Sequence, residues 1–226
     1  TITGSTSTEN NDFAQITADG SATVTFNIAN NADISDTNFG ITVFHATTST
    51  ATSALTGTID NNTVTIPVGG LGSGIRLAHN GAGTMTVAVA DNTVHYNNGF
   101  DSGIFVRTND GSSGSCQATV TGNTVNIDGF NPLYAMEFIA GSLISDTQTL
   151  CLDLADNTVN NTTFSDDVRL RQRDNSTFQL HGFAGNGFST ADVASWVTTN
   201  NPGLTTVSVS MQTNGFSSAT CTSPAP

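Results

Sequence analysis

The chain has 226 residues, enough for one large core or for an elongated array of repeats. It carries 18 acidic residues and five basic ones, all Arg, so its formal net charge is −13. Nucleic acids and anionic membranes bind proteins through clustered cations, and this balance argues against both as partners. No apolar run approaches the roughly 20 residues that span a bilayer, so membrane insertion is not expected either.

The chain begins at Thr1, with no initiator Met and no signal peptide, which indicates a processed product. Residues 1–20 show no convincing repeat beyond one strand. They are interpreted as an N-terminal extension that pairs with its own chain or with a neighbouring copy. A degenerate first repeat follows and ends at Asn31.

The tripeptide Asn-Thr-Val then occurs four times, at steps of 30, 31 and 34 residues. A nearly fixed period of this size predicts a stacked-repeat fold. Apolar and polar residues alternate on both sides of each tripeptide, which indicates strand, bend and strand. Asn tolerates the left-handed conformation at a bend, and its stacked amides can hydrogen-bond from coil to coil. We predict such an asparagine ladder at Asn31, Asn62, Asn92, Asn123 and Asn157.

A further strand pattern lies between successive Asn-Thr-Val bends, which are the corners of the coils, and has the same period. It starts at Ile41, Ile75, Ile104, Met136 and Val168. Gly40, Gly74 and Gly103 precede its first three copies, as expected of bend residues. Two strand patterns with one shared period require coils of at least three strands. Residues 21–175 are therefore predicted to form an all-β, single-stranded parallel β-helix of about five coils.

The repeat stops after Arg173, and residues 176–226 are predicted to form a C-terminal cap. Ser189 with Asp192 three residues later is typical of a helix N-terminus, and Asn-Asn-Pro-Gly at 200–203 is typical of a helix end. A last strand is expected at Thr206–Gln212. Solenoids need a cap over their last open coil. The residues expected to form it are Phe183, Phe188, Val193, Trp196 and Val197.

Three cysteines are present, without the Cys and His spacing of a metal site, so no metal and no cofactor are expected. Cys116 lies seven residues before Asn123, and Cys151 lies six before Asn157. The two thiols should thus fall at nearly the same place on adjacent coils, about 4.8 Å apart and within disulfide reach. We predict a Cys116–Cys151 disulfide, which fits export to an oxidising compartment. Pairing of Cys221 with either partner stays open.

The C-terminal third carries a distinctive order of segments. Cys-Leu-Asp-Leu-Ala-Asp-Asn from Cys151 is followed by Asp-Val-Arg-Leu-Arg-Gln-Arg from Asp167 and Phe-Gln-Leu-His-Gly-Phe-Ala-Gly from Phe178. This order resembles the C-terminal portion of large bacterial secreted β-helix-repeat proteins, which are autotransporter-like or adhesin-like surface proteins. The resemblance covers roughly Ala22 to Cys221. It implies a right-handed β-helix, export and a place at the cell surface, and it implies no catalytic residues.

One dense cluster of acids and bases stands at residues 166–174. Strand alternation turns its three arginines outward and Val168, Leu170 and Gln172 inward. An outer face of arginines can hold a uronic acid or a sulfate. The alternative, which so acidic a chain favours, is a strand whose cations meet neighbouring Asp side chains. The residues of this anionic-ligand face are Arg76, Arg107, Arg169, Arg171 and Arg173.

Other polar residues give weaker signals. His45 and His79 each stand four residues after the start of the further strand pattern, so they are expected to stack on neighbouring coils, but two His make a poor metal site. Asp91 and Asp156 directly precede ladder residues, which fits turn capping better than the paired acids of a glycosidase. No catalytic residues are therefore assigned.

The sequence thus favours a non-enzymatic extracellular protein, structural or adhesive, located at the cell surface. Its expected partner is a second copy of itself, added head to tail as in a filament. The alternative is a polysaccharide-binding or polysaccharide-degrading β-helix that uses the arginine face, with a surface glycan as its partner.

Overall fold

The computed structural model describes residues 1–226 except 6, 33, 47, 49, 98–100, 110–112, 129–133, 143–144, 162–165 and 225–226. The fold opens with β1 (Ile2–Thr3), β2 (Ser7–Ala18), β3 (Thr23–Ala29) and β4 (Ile34–His45). Coils of three strands follow: β5 (Ala54–Asp60), β6 (Thr63–Ile66), β7 (Ile75–His79), β8 (Thr84–Ala90), β9 (Thr93–Tyr96), β10 (Ile104–Thr108), β11 (Ser115–Thr121), β12 (Thr124–Ile127), β13 (Tyr134–Ala140), β14 (Thr149–Ala155), β15 (Thr158–Asn161) and β16 (Asp166–Gln172). The cap contains β17 (Thr177–His181), α1 (Thr190–Asn200), β18 (Val207–Ser210) and β19 (Phe216–Ala219).

Equivalent strands of successive coils pair in parallel. The first strands form an eight-stranded sheet in the order β1-β3-β5-β8-β11-β14-β17-β19. The second and third strands belong to one 11-stranded sheet, because the long β4 pairs with both β6 and β7. The structure confirms the parallel β-helix of about five coils. It also shows that the N-terminal extension pairs within its own chain, β1 with β3 and β2 with β4.

The core consists of files of inward side chains, one residue per coil. The valines of the Asn-Thr-Val tripeptides form one file, in which Val94 and Val125 are completely buried. The glycines before the third strands make room for this file. A Cβ on Gly74 would lie 2.5 Å from Val94 Cγ1, and one on Gly103 would lie 2.7 Å from Val125 Cγ1. Close packing against valine, more than bending, therefore requires glycine at these positions.

The predicted cap helix is confirmed. Ser189 is its N-cap residue, and its Oγ accepts a hydrogen bond from Asp192 N at 3.2 Å. Val193 and Val197 form the buried stripe of α1, and Phe183 is buried beside the same core. Phe188, which was also expected to belong to the cap, does not pack into this core, because the residue is 66% exposed. Phe188 precedes the helix in a surface turn, where its amide donates to the Asn186 side chain at 3.0 Å.

The predicted Cys116–Cys151 disulfide is wrong. The register places Cys116 opposite Leu150, one residue before Cys151. Because side chains alternate along a strand, a one-residue offset turns the two thiols to opposite faces of the sheet. Cys116 is a free thiol, completely buried in the core. Cys151 is bonded to Cys221 instead, with their Cα atoms 5.6 Å apart.

Candidate functional site

The asparagine ladder runs along the first corner of the solenoid. At each step the backbone N and the Nδ2 of one Asn donate to Oδ1 of the next, as in Asn62 to Asn92 at 3.0 and 2.9 Å. The ladder covers all five predicted residues. It gains a sixth member, because Asn157 donates in the same way to Asn201 at 3.0 and 2.9 Å. Asn201 also caps α1 and thereby joins the helix to the coils.

The left-handed conformation expected of the ladder residues belongs to the residues that precede them. Their φ angles are 57° at Asn30, 50° at Asn61, 53° at Asp91, 67° at Gly122 and 57° at Asp156. Asn, Asp and Gly are the residue types that best tolerate this region. The acids of this row are therefore turn residues, and the ladder itself is a scaffold whose amides bond to one another.

His45 and His79 stack inside the neighbouring corner, as predicted. Their ring centroids are 4.4 Å apart, and the rings are nearly parallel at 7°. Their Nε2 atoms contact the carbonyls of Ser53 (2.6 Å) and Gly83 (3.3 Å). Burial, with His45 as a further cause, lowers the pKa of His79 to about 4. The described residues contain no group of three His, Cys, Asp or Glu side chains that could hold a metal ion.

Charged side chains cluster on the outer surface of the third strands, β7, β10, β13 and β16. Parallel register lines up Arg76, Phe105, Glu137 and Arg169 in one file. Arg107 and Arg171 belong to the next file, separated by one residue of β13. We call this surface the arginine face. It comprises Arg76, Arg107, Arg169, Arg171, Arg173, Asp101, Glu137, Phe39, Phe44, Phe105 and Tyr134.

Aromatic rings hold the guanidinium groups of this face. The Arg76 guanidinium carbon lies 4.9 Å from the ring centroid of Phe39 and 5.2 Å from that of Phe44. Arg169 lies 4.7 Å from the ring centroid of Tyr134. A guanidinium that stacks on an aromatic face keeps its in-plane N–H groups for other acceptors. The Nε of Arg76 is buried and has no hydrogen-bond partner among the residues that the structure describes.

The arginines of this face have acids nearby, since Asp101 and Asp12 both act to raise the pKa of Arg76, but these acids form no close ion pair with it within the described residues. Within the described ranges, one arginine ion pair closer than 4.0 Å occurs, between Arg169 Nη1 and Glu137 Oε1 at 3.1 Å. Burial lowers the pKa of Arg76, and the nearby Arg107 lowers it further. Burial also lowers the pKa of Arg171, with Arg173 as the next cause. An anion that entered between these groups would relieve their mutual repulsion.

Two carboxylates complete the face. Burial raises the pKa of Asp101 and of Glu137, even though arginines lie near both groups. Glu137 is 9% exposed and is already engaged by Arg169. Glu137 therefore serves to position Arg169, whereas Asp101 accepts a hydrogen bond from the backbone N of Ser102 at 3.0 Å. Neither offers a freely accessible acid. The arrangement is suited to binding an anion.

The sequence prediction found the arginines and missed their partners. The structure brings together Arg76, Arg107, Arg169 and Arg171 as expected, and it turns Val168, Leu170 and Gln172 inward. Phe105 and Glu137 were missed, although each occupies the middle of the same three-residue strand pattern as Arg76 and Arg169. Alignment of the repeats on this strand pattern predicts that Phe105 and Glu137 lie in the same outer file as Arg76 and Arg169. Asp101 lies before its strand, where no periodic signal exists.

Comparison with known proteins finds no matching family model, no similar curated protein and no similar solved structure. The resemblance to secreted adhesin-like proteins therefore stays a prediction. Among the helical residues that the structure describes, none belongs to a segment long and apolar enough to cross a membrane.

Proposed function

We propose that this chain is a structural and adhesive β-solenoid that binds an anionic polysaccharide along its arginine face. The observation that carries the proposal is the convergence of arginines on one outer surface, in a chain with five cations and a net charge of −13. A carboxylated or sulfated chain offers planar or tetrahedral acceptors that match guanidinium N–H groups. Arginines that recur on successive coils can contact successive sugar units of a polymer.

A location outside the cell is part of this proposal. The Cys151–Cys221 bond supports it, because disulfides persist in oxidising compartments and are rare in the cytosol. The resemblance to secreted surface proteins points in the same direction. A solenoid held by stacked backbone pairing and an amide ladder would serve there as a rigid support for the binding face.

The proposal is tested by calorimetric titration with polygalacturonate and heparin, with neutral dextran as the comparison polymer. The double variant Arg76→Gln/Arg107→Gln should weaken binding at least tenfold, because it removes two clamping groups. The matched control is Thr25→Glu/Thr56→Glu, which makes the same change in net charge on exposed strand positions of the eight-stranded sheet. It should bind as the wild type does.

Binding of the anionic polymers should also weaken with added salt, since the arginines are half-buried at the surface and salt screens their attraction to the polymer. Two outcomes would reject the proposal. One is a wild-type protein that binds neither anionic polymer. The other is an equal loss in the control variant, which would show that net charge, and not the arginine face, governs the interaction.

A second function, self-association of copies head to tail, is favoured by the two ends of the stack. Half-buried apolar side chains line both ends: Ile2, Phe13, Ile16 and Val24 at the first coils, and Val207, Val209 and Met211 at the last. Ile16 and Val209 lie in the same inward file of the third strands. A second copy would therefore continue that file and the strand pairing with it.

Light scattering after gel filtration over a range of concentrations tests this function. We expect the wild-type mass to rise with concentration and Ile16→Arg and Val209→Arg to stay monomeric, because each variant places a charge on one of the joined ends. A wild-type protein that stays monomeric at every concentration would exclude self-association. Negative-stain microscopy of the same samples distinguishes filaments from closed dimers.

A further inference from the structure

A cleft of about 500 Å³ opens at the cap, between the turn that follows β17 and helix α1. The cleft is wide and open to solvent, so a ligand there would contact one side of it and stay partly exposed. One wall is a single face of the helix, since its residues recur at positions 192, 195, 196 and 199. The side chains that matter are His181, Asp192, Ser195, Trp196, Thr199 and Asn200. None of them belongs to the arginine face.

Trp196, the one tryptophan of the chain, supplies a flat apolar surface in this cleft. Its side chain is half-buried, and the indole N–H donates to the carbonyl of His181 at 3.2 Å. That bond fixes the orientation of the ring before any ligand arrives. A preoriented ring of this kind binds apolar ligand surface at little entropic cost.

Polar groups surround the ring. The Nδ1 of His181 accepts from Cys221 N at 3.1 Å, so in the neutral imidazole Nε2 carries the proton and is a donor. The Asp192 carboxylate is held by Asn186 N (2.8 Å) and Ser189 Oγ (3.1 Å) and keeps further acceptor capacity. The side chains of Ser195 and Thr199 lie on the exposed part of the helix.

We propose that this cleft binds a neutral saccharide, one sugar ring of which stacks on Trp196. The apolar face of a sugar matches the indole, and its hydroxyl groups both donate and accept, as the surrounding side chains do. Asp192 disfavours an anionic ligand. The inference does not depend on the proposed function of the arginine face, which concerns another surface and another charge class of ligand.

Fluorescence of the single tryptophan reports directly on this site. Wild-type protein is titrated with glucose, galactose, N-acetylglucosamine and cellobiose, and with glucuronate as the charged comparison. We expect a saturable emission change with at least one neutral sugar at millimolar concentrations. Glucuronate should bind more weakly. Saturation-transfer NMR on the same mixtures records contact with the sugar ring independently of quenching.

The variant Thr199→Arg places a long charged side chain on the wall of the cleft and should weaken binding at least tenfold. Its matched control is Thr213→Arg, an exposed residue of the cap that does not line the cleft. The proposal is overturned if no neutral sugar gives a saturable change, if Thr199→Arg binds like the control, or if glucuronate binds more tightly than the neutral sugars. Arg76→Gln should leave this binding unchanged, which separates the cleft from the arginine face.

Discussion

The asparagine ladder and the arginine face are built by the same register, yet they differ in what their side chains do. An amide carries both donors and an acceptor, so Asn62, Asn92 and Asn123 can repeat on every coil and bond to one another. A guanidinium has donors alone and repels its own kind. Arg76 and Arg169 are therefore separated in their file by Phe105 and Glu137. In the buried ladder the stacked amides satisfy one another's hydrogen bonds. On the outer arginine face the guanidinium groups keep N–H donors that a ligand can use.

The largest effect is expected inside, at the middle of the ladder. Asn123→Ala removes the acceptor of the Asn92 amide groups and leaves the carbonyl of Val89 without its partner. Because these groups are buried, the free energy of unfolding should fall by about 4 kcal/mol. Urea unfolding followed by circular dichroism measures it.

The matched control is Asn126→Ala, which removes an Asn of the next strand that pairs with Asn160 at the surface (2.8 Å). This substitution should lower the free energy of unfolding by less than about 0.5 kcal/mol. An equal fall in the free energy of unfolding for both substitutions would show that the buried ladder contributes no more to stability than a surface pair of asparagines.

The three cysteines also test the register, because Cys151 is bonded to Cys221 whereas Cys116 is a buried free thiol. Reduction of Cys151–Cys221, or Cys221→Ser, should lower the free energy of unfolding by about 4 kcal/mol, because the bond joins residues 70 positions apart. Burial raises the pKa of the Cys116 thiol, so this cysteine should resist alkylation until the protein unfolds. Urea unfolding measures the first effect, and peptide mapping under non-reducing conditions, after alkylation of the folded protein, checks the pairing and the protection of Cys116. A Cys116–Cys151 peptide would contradict the register.

The histidine pair is an inner stack that depends on pH. Burial lowers the pKa of His79 from 6.5 to about 4, so the folded protein holds this ring neutral. As pH falls from 6.5 towards 4, the unfolded chain takes up a proton that the folded chain resists, and about 3 kcal/mol of stability is lost. Comparing His79→Leu with the wild type at each pH isolates this effect. The control is His95→Gln, at a half-exposed histidine whose side chain is 40% exposed. If His79→Leu leaves the pH profile of stability unchanged, the lowered pKa of His79 is not the cause.

The smallest effect on stability is expected on the arginine face. Arg171→Gln should change the free energy of unfolding by less than about 0.5 kcal/mol, since its guanidinium has no ion pair closer than 4.0 Å within the described ranges. The same substitution should weaken binding of heparin. A loss of several kcal/mol in thermal unfolding would instead show that the face is part of the scaffold.

Much of the fold could be predicted because its signals are periodic. The Asn-Thr-Val steps, the strand pattern that starts at Ile75, Ile104 and Met136, and the helix signals at Ser189 and Asn201 all correspond to observed elements. The Cys116–Cys151 prediction overlooked a difference that the sequence records, because offsets of seven and six residues from the corner place the two thiols on opposite faces of the sheet. The partner of Cys151 lies in the C-terminal segment, beyond the repeats.

The sequence alone determined the period, the strand alternation and the ladder, because each coil repeats the same local pattern and stacking brings equal positions together. The tertiary structure decided what the non-repeating residues do. It placed Asn201 at the end of the ladder, Asp101 beside the arginines, and Trp196 over the cleft. These residues come from loops and the cap, where contacts depend on how the chain packs in space and no sequence period records them.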